Sequence, residues 1–354
     1  MSSSNGSLRL RQMQPSDSAA VTGLITEFDG DLTTRFLVDP YAAITHGTEN
    51  ETVGVVVEVE DHMGLIGMGT MRMYRAQFNG ELMPMAFLDG LKVQPEFRGQ
   101  GLGWRIAEWR VLHARDRFGD RSVIATGMLH DNSASRGVAK KWCHEFIDKA
   151  FAVWMMPVMG KPPRAPEGLR GCVIEPGQYE EFSAKQNAFF REYNLYQPHD
   201  PESIARVVAV EVDGRRPYRF YAVADSHGNM LAGAQSWARG MLKSDTINSI
   251  PTPVRVLNRF VHLIPDDMVM RDIAITGVWH AEGRIDAARF LWEWMRWAGR
   301  DQGTTLAVAF DPRDPTKEAV KLKPWHQPRP EITMAVNGPE EVDRGRLIYV
   351  SPRV

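Results

Sequence analysis

The segment Leu91-Lys92-Val93-Gln94-Pro95-Glu96-Phe97-Arg98-Gly99-Gln100-Gly101-Leu102-Gly103-Trp104 constrains this chain more than any other. An apolar strand ends at Pro95, a glycine-rich turn follows, and an amphipathic helix begins at once over Arg105–Arg117, with Ile106, Trp109, Leu112 and His113 at helical spacing. A turn of this kind aims several free backbone N–H groups and the positive end of a helix dipole at one spot. Glycine at 101 and 103 lets an anion approach the main chain with no Cβ in the way. The segment reads as a diphosphate site. A dinucleotide-binding fold is the first rival, and three features oppose it. The order is Arg-Gly-x-Gly-x-Gly and not Gly-x-Gly-x-x-Gly, the turn follows the fourth strand, and no acidic residue ends a second strand about twenty residues on.

The strands counted here come from period-two and β-branched runs at Leu8–Met13, Val53–Glu60, Leu65–Met73 and Met83–Val93. A helix is expected over Asp17–Phe28. Beyond the turn come a strand at Ser122–Leu129, a helix at Ser133–His144 and a strand at Phe151–Val158. The proline- and glycine-rich run Met159–Gly171 then reads as a linker. The rest repeats the plan. Strands are expected at Cys172–Glu175, Tyr218–Ala224, Met230–Trp237, Asp272–Val278, Thr304–Phe310, Glu331–Val336 and Arg346–Val350, with helices at Tyr179–Tyr193, Arg284–Trp297 and Pro315–Leu322. Echoes support a duplication: Ile106-Ala107-Glu108-Trp109 against Leu291-Trp292-Glu293-Trp294, and the Asp131/Trp142 pair against Asp314/Trp325. At 354 residues two cores are the natural expectation. The reading is an α/β chain with a mixed sheet: residues 1–160 as one domain, 161–171 as linker and 172–354 as a second.

The turn and its surroundings resemble the GNAT superfamily of N-acetyltransferases, whose signature between the fourth strand and the next helix is Val-x-Pro-x-x-Arg-Gly-x-Gly-x-Gly/Ala. Val93, Pro95, Arg98, Gly101 and Gly103 match it, and Asn132 ahead of a helix matches the family's asparagine after the fifth strand. The resemblance covers the first domain and implies two tandem GNAT-like domains. It implies acetyl-CoA or another acyl-CoA as co-substrate, with pantetheine along Leu91, Lys92 and Val93 and the diphosphate on Arg98, Gly99, Gln100, Gly101, Leu102, Gly103 and Trp104. Asn132 is implied beside the cofactor.

Acyl transfer to an amine needs no covalent enzyme intermediate when acceptor and thioester are bound together; positioning, carbonyl polarisation and proton removal suffice. Presenting a lysine-like amine neutral at pH 7 costs roughly 4.6 kcal/mol, and a nearby carboxylate lowers that burden. Asp89, four residues before Val93 and on the same strand face, is the candidate base; an aspartate that merely starts a bulge at Asp89-Gly90 is the plain alternative. The tyrosine that protonates the thiolate in many relatives falls at Ala139 here. His130 at the end of the fifth strand is then a candidate catalytic residue with Asn132, and Cys143 and His144 are weaker ones, although a thiol of ordinary pKa about 8.5 can also leave unassisted. Trp292, Trp294 and Trp297 read as core and interdomain packing.

Aligning Trp109 with Trp294 sets Asp89 against Ala274, Pro95 against His280, Gly101 against Asp286 and Gly103 against Ala288. A carboxylate in an anion site is repulsive, so the second domain is expected to be degenerate, completing the first domain's sheet and walling its acceptor pocket. The formal net charge of −2 carries no basic cluster, so nucleic acid is not an expected partner. The polar first twelve residues, the lack of a membrane-length apolar stretch, and two cysteines without metal-site spacing fit a cytoplasmic protein with no metal. The expectation is an acyl-CoA-dependent N-acyltransferase acting on a small-molecule primary amine, as monomer or homodimer. An O-acyl or long-chain acyltransferase, or a non-catalytic acyl-CoA sensor, are the rivals.

Overall fold

A computed structural model describes residues 7–26, 32–60, 62–261, 264–320 and 330–352. In chain order the first half contains β1 (Leu8–Gln12), α1 (Ser18–Thr26), β2 (Leu32–Phe36), α2 (Pro40–Thr45), β3 (Glu51–Val59), β4 (Gly67–Phe78), β5 (Glu81–Val93), α3 (Leu102–Phe118), β6 (Val123–Leu129), α4 (Ser133–Ala139) and β7 (Glu145–Pro157). The second contains β8 (Arg170–Val173), α5 (Tyr179–Phe189), β9 (Tyr193–Asn194), α6 (Pro201–Val208), β10 (Tyr218–Ala224), β11 (Met230–Trp237), β12 (Lys243–Ile247), α7 (Thr252–Val261), β13 (Val269–Met270), β14 (Asp272–His280), α8 (Ile285–Ala298), β15 (Thr305–Phe310), β16 (Glu331–Asn337) and β17 (Leu347–Ile348).

Twelve strands form one mixed sheet in the order β1-β3-β4-β5-β6-β16-β7-β15-β14-β11-β10-β8. Its two ends are built alike. Each half contributes an antiparallel meander whose last strand pairs in parallel with the strand after a crossover helix: β5 with β6 across α3, β14 with β15 across α8. The halves are joined by exchange. β16 lies between β6 and β7, with Ile332 opposite Leu129 and Asn337 opposite Ile124, while the far end of β7 pairs with β15, Thr305 opposite Pro157. The second half thus completes the first half's sheet, as expected, and the first returns a strand in kind. Trp292 is buried in α8 and directs its indole N–H at the Met156 sulfur of β7, 3.3 Å away, so interdomain packing is borne out for that residue.

Helix α3 departs from the expected face. Leu112 is 62% exposed, and the buried stripe runs through Leu102, Ile106, Ala107, Arg110 and Ala114. An arginine in the middle of that stripe breaks the apolar pattern by which the buried face would be read. The helix expected over Ser133–His144 stops at Ala139, and β7 begins earlier, at Glu145, to reach β16. Part of the expected Asp17–Phe28 helix, the end of Pro315–Leu322 and Trp325 lie outside the described residues. Several short elements escaped the sequence reading, three strands of one small sheet among them. β2 and β12, with β13, form a separate three-stranded sheet, Lys243 opposite Phe36 and Ile247 opposite Leu32, so a strand of each half roofs the junction between them.

Candidate active site

The glycine-rich turn is held from inside. Residues Pro95–Phe97 form one 3₁₀ turn closed by Phe97 N–H donating to Gln94 O at 3.0 Å. The Gln94 side chain donates to Leu65 O, the Arg98 Nε to Val93 O, and the Gln100 amide to Glu96 O, each at 3.0 Å. Gly99 and Gly101 take φ of +77° and +79°, the left-handed region where a side chain is strained. Gly101 is the N-cap of α3 and no side chain caps that helix. Among the described residues nothing accepts a hydrogen bond from the N–H groups of Gly99 through Trp104, which suits an anion with several oxygens. Gly103 has a different duty. A Cβ there would meet Val138 Cγ2 at 3.3 Å, so this glycine lets α3 pack on α4.

Upstream of the turn, β5 and β6 pair only from Met85–Phe87 against Val123–Ala125 and then part. The hydroxyl of Thr126 spans the start of the gap, donating to Leu88 O at 2.6 Å. The groove beyond has a volume of about 210 Å³ and is lined by Asp89, Leu91, Thr126, Asn132 and Ala139 among others. Asn132 is the N-cap of α4, its Oδ1 accepting from Ser135 N–H at 2.9 Å, so it fixes the helix that forms the outer wall. Ala139 stands in that wall with no hydroxyl to offer.

Asp89 lies where the groove meets a second opening. A bulge interrupts the β4–β5 ladder between Met68 and Thr70, and Gly90 takes φ +60°; a Cβ there would lie 2.7 Å from Thr70 Oγ1. Two arginines hold the bulge. Arg110, fully buried, donates from Nη1 to both Thr70 O and Asp89 O at 2.8 Å; burial pulls its pKa down to about 10, with the Asp89 charge opposing. Gly69 makes room for it, since a Cβ would come within 2.9 Å of the Arg110 guanidinium. Arg72 donates from Nε to Asp89 Oδ2 at 2.9 Å, and Thr70 Oγ1 donates to Asp89 Oδ1. Asp89 thus starts a bulge, and the same kink that places its carboxylate also engages it with Thr70 and Arg72.

The second opening is a cleft of about 420 Å³ between the main sheet and the roof made by β2 and β12. Asp89, Arg72 and Lys92 lie on its sheet side, while Trp237, Arg239 and Lys243 come from the second half. The second half therefore walls one side of this cleft. Lys92 donates from Nζ to Ile25 O at 3.0 Å, tying α1 to β5. The structure does not bring His130 to this place. Its Nδ1 lies 2.9 Å from Thr333 Oγ1, which in turn donates to Asp148, and the ring faces a different cleft beside β7 and β15. Cys143 packs against the α3 core, and burial pushes its thiol up; neither it nor His144 lines the groove.

The residues missed by sequence reasoning are Thr70, Arg72, Arg110, Arg239 and Lys243. Arg110 carried a legible signal, a charge at the centre of a helix's apolar stripe. The others needed a register between distant strands.

Residues 22–144 match the model of the acetyltransferase (GNAT) family. Among curated proteins none matches the chain. Similar solved structures share the fold over nearly the whole length. N-myristoyltransferase of Saccharomyces cerevisiae with bound myristoyl-CoA is 10% identical, with a TM-score of 0.64 over 97% of this chain and 89% of that one. A GCN5-related N-acetyltransferase from Sphaerobacter thermophilus is 14% identical, with a TM-score of 0.55 over 95% and 98%. Another from Kribbella flavida is 13% identical, with a TM-score of 0.52 over 94% and 72%. Residues 22–144 thus carry a domain that matches the acetyltransferase (GNAT) family, and the chain as a whole, a sheet of two like halves, shares the fold of these N-myristoyltransferase and GCN5-related N-acetyltransferase structures.

Proposed function

We propose that the chain is an N-acyltransferase that moves an acetyl or other acyl group from acyl-CoA to a small-molecule primary amine, by direct attack with both substrates bound. The observation that carries this reading is that Asp89, with its neighbours Gly90 and Leu91, borders both the groove between β5 and β6 and the cleft between the halves. The turn at Arg98–Trp104 would take the diphosphate and the gap beside Leu91–Val93 the pantetheine. The acceptor would enter from the inter-half cleft. Residues 1–160 supply the donor site, and residues 172–354 supply the far wall of the acceptor site. Asp89 would accept a proton from the amine, directly or through water. Its bonds to Thr70 and Arg72 leave lone pairs on both oxygens for that contact.

A second reading, a sensor that binds acyl-CoA without turnover, draws on two observations: Ala139 offers no proton to a departing thiolate, and both Asp89 oxygens are already engaged. Incubating the protein with acetyl-CoA and a panel of amines, with mass detection of product and measurement of free CoA, separates the two. N-acylated product supports the enzyme. Tight CoA binding with no product from any amine or acyl donor supports the sensor.

A further inference from the structure

Four cationic side chains, Arg72, Lys92, Arg239 and Lys243, line the inter-half cleft against one carboxylate, Asp89. Three are already satisfied. Arg72 is bound to Asp89, Lys92 to Ile25 O, and Arg239 to Asp272 at 3.0 Å with Asp245 at 3.7 Å. Lys243 alone among them has neither hydrogen bond nor ion pair with any described residue. It projects from β12 into the same opening as Asp89, flanked by Trp237 and Leu242. Asp245, two residues on and on the same strand face, is taken by Thr34 at 2.7 Å and by Arg239. A cation withdrawn from bulk water with no partner is costly to the fold, and a protein keeps one where a ligand supplies the anion.

We infer that Lys243 is the anchor for a carboxylate carried by the acceptor, so that the substrate is an amino acid or another small amine bearing a carboxylate. This rests on the acyltransferase reading and narrows it. The amine end would face Asp89, whose charge suits an ammonium group, and the carboxylate would face Lys243 across the cleft. Trp237 and Leu242 would border the rest of the molecule. A volume of about 420 Å³ accommodates an amino acid with an aromatic side chain and lies within the ordinary range for small-ligand sites. The electrostatics agree. Enclosure by the cleft walls, then the Arg239 charge, pull the Lys243 pKa down to about 8, while Asp245, Asp272 and Asp89 oppose the fall. Arg72 and Lys92 add positive charge from the sheet side. A bound carboxylate would relieve that strain, and its affinity would fall as pH rises through about 8, where the free ammonium loses its proton.

The test uses matched pairs, phenylalanine with phenethylamine and serine with ethanolamine, on the full chain and on Lys243→Met and Lys243→Arg. Binding is titrated in the presence of CoA, and CoA release from acetyl-CoA is measured alongside. The carboxylate-bearing member of a pair should bind at least tenfold more tightly to the natural chain. Lys243→Met should erase that preference and raise KM for the amino acid about a hundredfold while leaving CoA affinity unchanged. Lys243→Arg should keep the preference and carry it to pH 9.5. A natural chain that binds both members alike, or a Lys243→Met variant that still prefers the carboxylate, overturns the anchor. Absence of CoA release with every amine strikes the acyltransferase reading instead, and the binding titration then decides the anchor by itself.

Discussion

The two halves of this chain carry the same strand–turn–helix, and only one of them is open. In the first, residues 94–101 span from β5 to α3, with two left-handed glycines and an uncapped helix. In the second, only residues 281–284 span from β14 to α8. The bulges fix the correspondence. Gly277 takes φ +60° beside a shift between Gly233 and Gln235, as Gly90 does beside Met68 and Thr70. Asp89 therefore corresponds to Thr276 and not to Ala274, and the turn that follows is shorter by half. This corrects the constant-offset alignment, which also set Asp286 against Gly101. Asp286 is one residue inside α8 and is paired with Arg284 at 2.9 Å, while Gly283, at φ +71°, is the lone left-handed glycine of the turn. The grooves differ as much. The gap after β14 and β15 part retains about 20 Å³, closed by Phe190 and Tyr349, whose rings meet edge to face at 5.2 Å, against about 210 Å³ in the first half. One duplicated frame is open in the first half and filled as a core in the second.

Exchanging the two residues that follow this correspondence gives the largest expected contrast. Asp89→Asn should lower the rate of acyl transfer about a hundred- to ten-thousand-fold, the range for loss of a general base, with CoA affinity nearly unchanged. Thr276→Ala, in the buried equivalent position, should leave the rate alone. A near-full rate in Asp89→Asn at neutral pH would make Asp89 a structural residue of the bulge.

The next contrast concerns the turns. Gly101→Asp sets a carboxylate in the cradle, where repulsion by a diphosphate charge about 4 Å away is worth about 4 kcal/mol near a protein surface. CoA affinity should fall about a hundredfold or more in calorimetry, with circular dichroism unchanged. Nothing lies within 4 Å of the added Cβ, so unfolding is not the expected cause. Unchanged affinity in that folded variant would remove the anion site from the account.

The bulge glycines offer a finer comparison. Gly90→Ala and Gly277→Ala each force a side chain into the left-handed region, at roughly 1–2 kcal/mol, and each meets a neighbour: Thr70 Oγ1 at 2.7 Å or Gln186 Nε2 at 2.5 Å. Denaturant unfolding should show similar losses of stability. Only Gly90→Ala should also weaken CoA binding and slow transfer, because only that bulge borders an open groove. Equal functional losses would mean that the two bulges act through the fold as a whole.

These contrasts also mark what the sequence could tell. The candidate donor site was legible because it is local: strand, turn and helix follow one another between Leu91 and Trp104, and each glycine signals its own backbone need. The meanders of both halves were legible from alternation, Tyr218–Ala224 and Met230–Trp237 to the residue. The inter-half cleft was not. β2 and β12 are short and half polar, and they pair with each other across some two hundred residues. Lys243 and Arg239 have no local signature, and their meaning comes from that pairing. The exchange of β7 and β16 was hidden for the same reason, since no local pattern states which sheet a strand will join. The Asp286→Gly variant gives the smallest expected effect. It removes a charge from the second turn yet should create no CoA site, because a helix dipole alone contributes about 0.3–1 kcal/mol and the turn stays short.

The central claim is that a duplicated fold retains one donor site. Isothermal titration of the full chain with CoA tests it most directly. One site per chain is predicted, abolished in full by Gly101→Asp. Two equivalent sites per chain, or a single site that survives Gly101→Asp, would contradict the account.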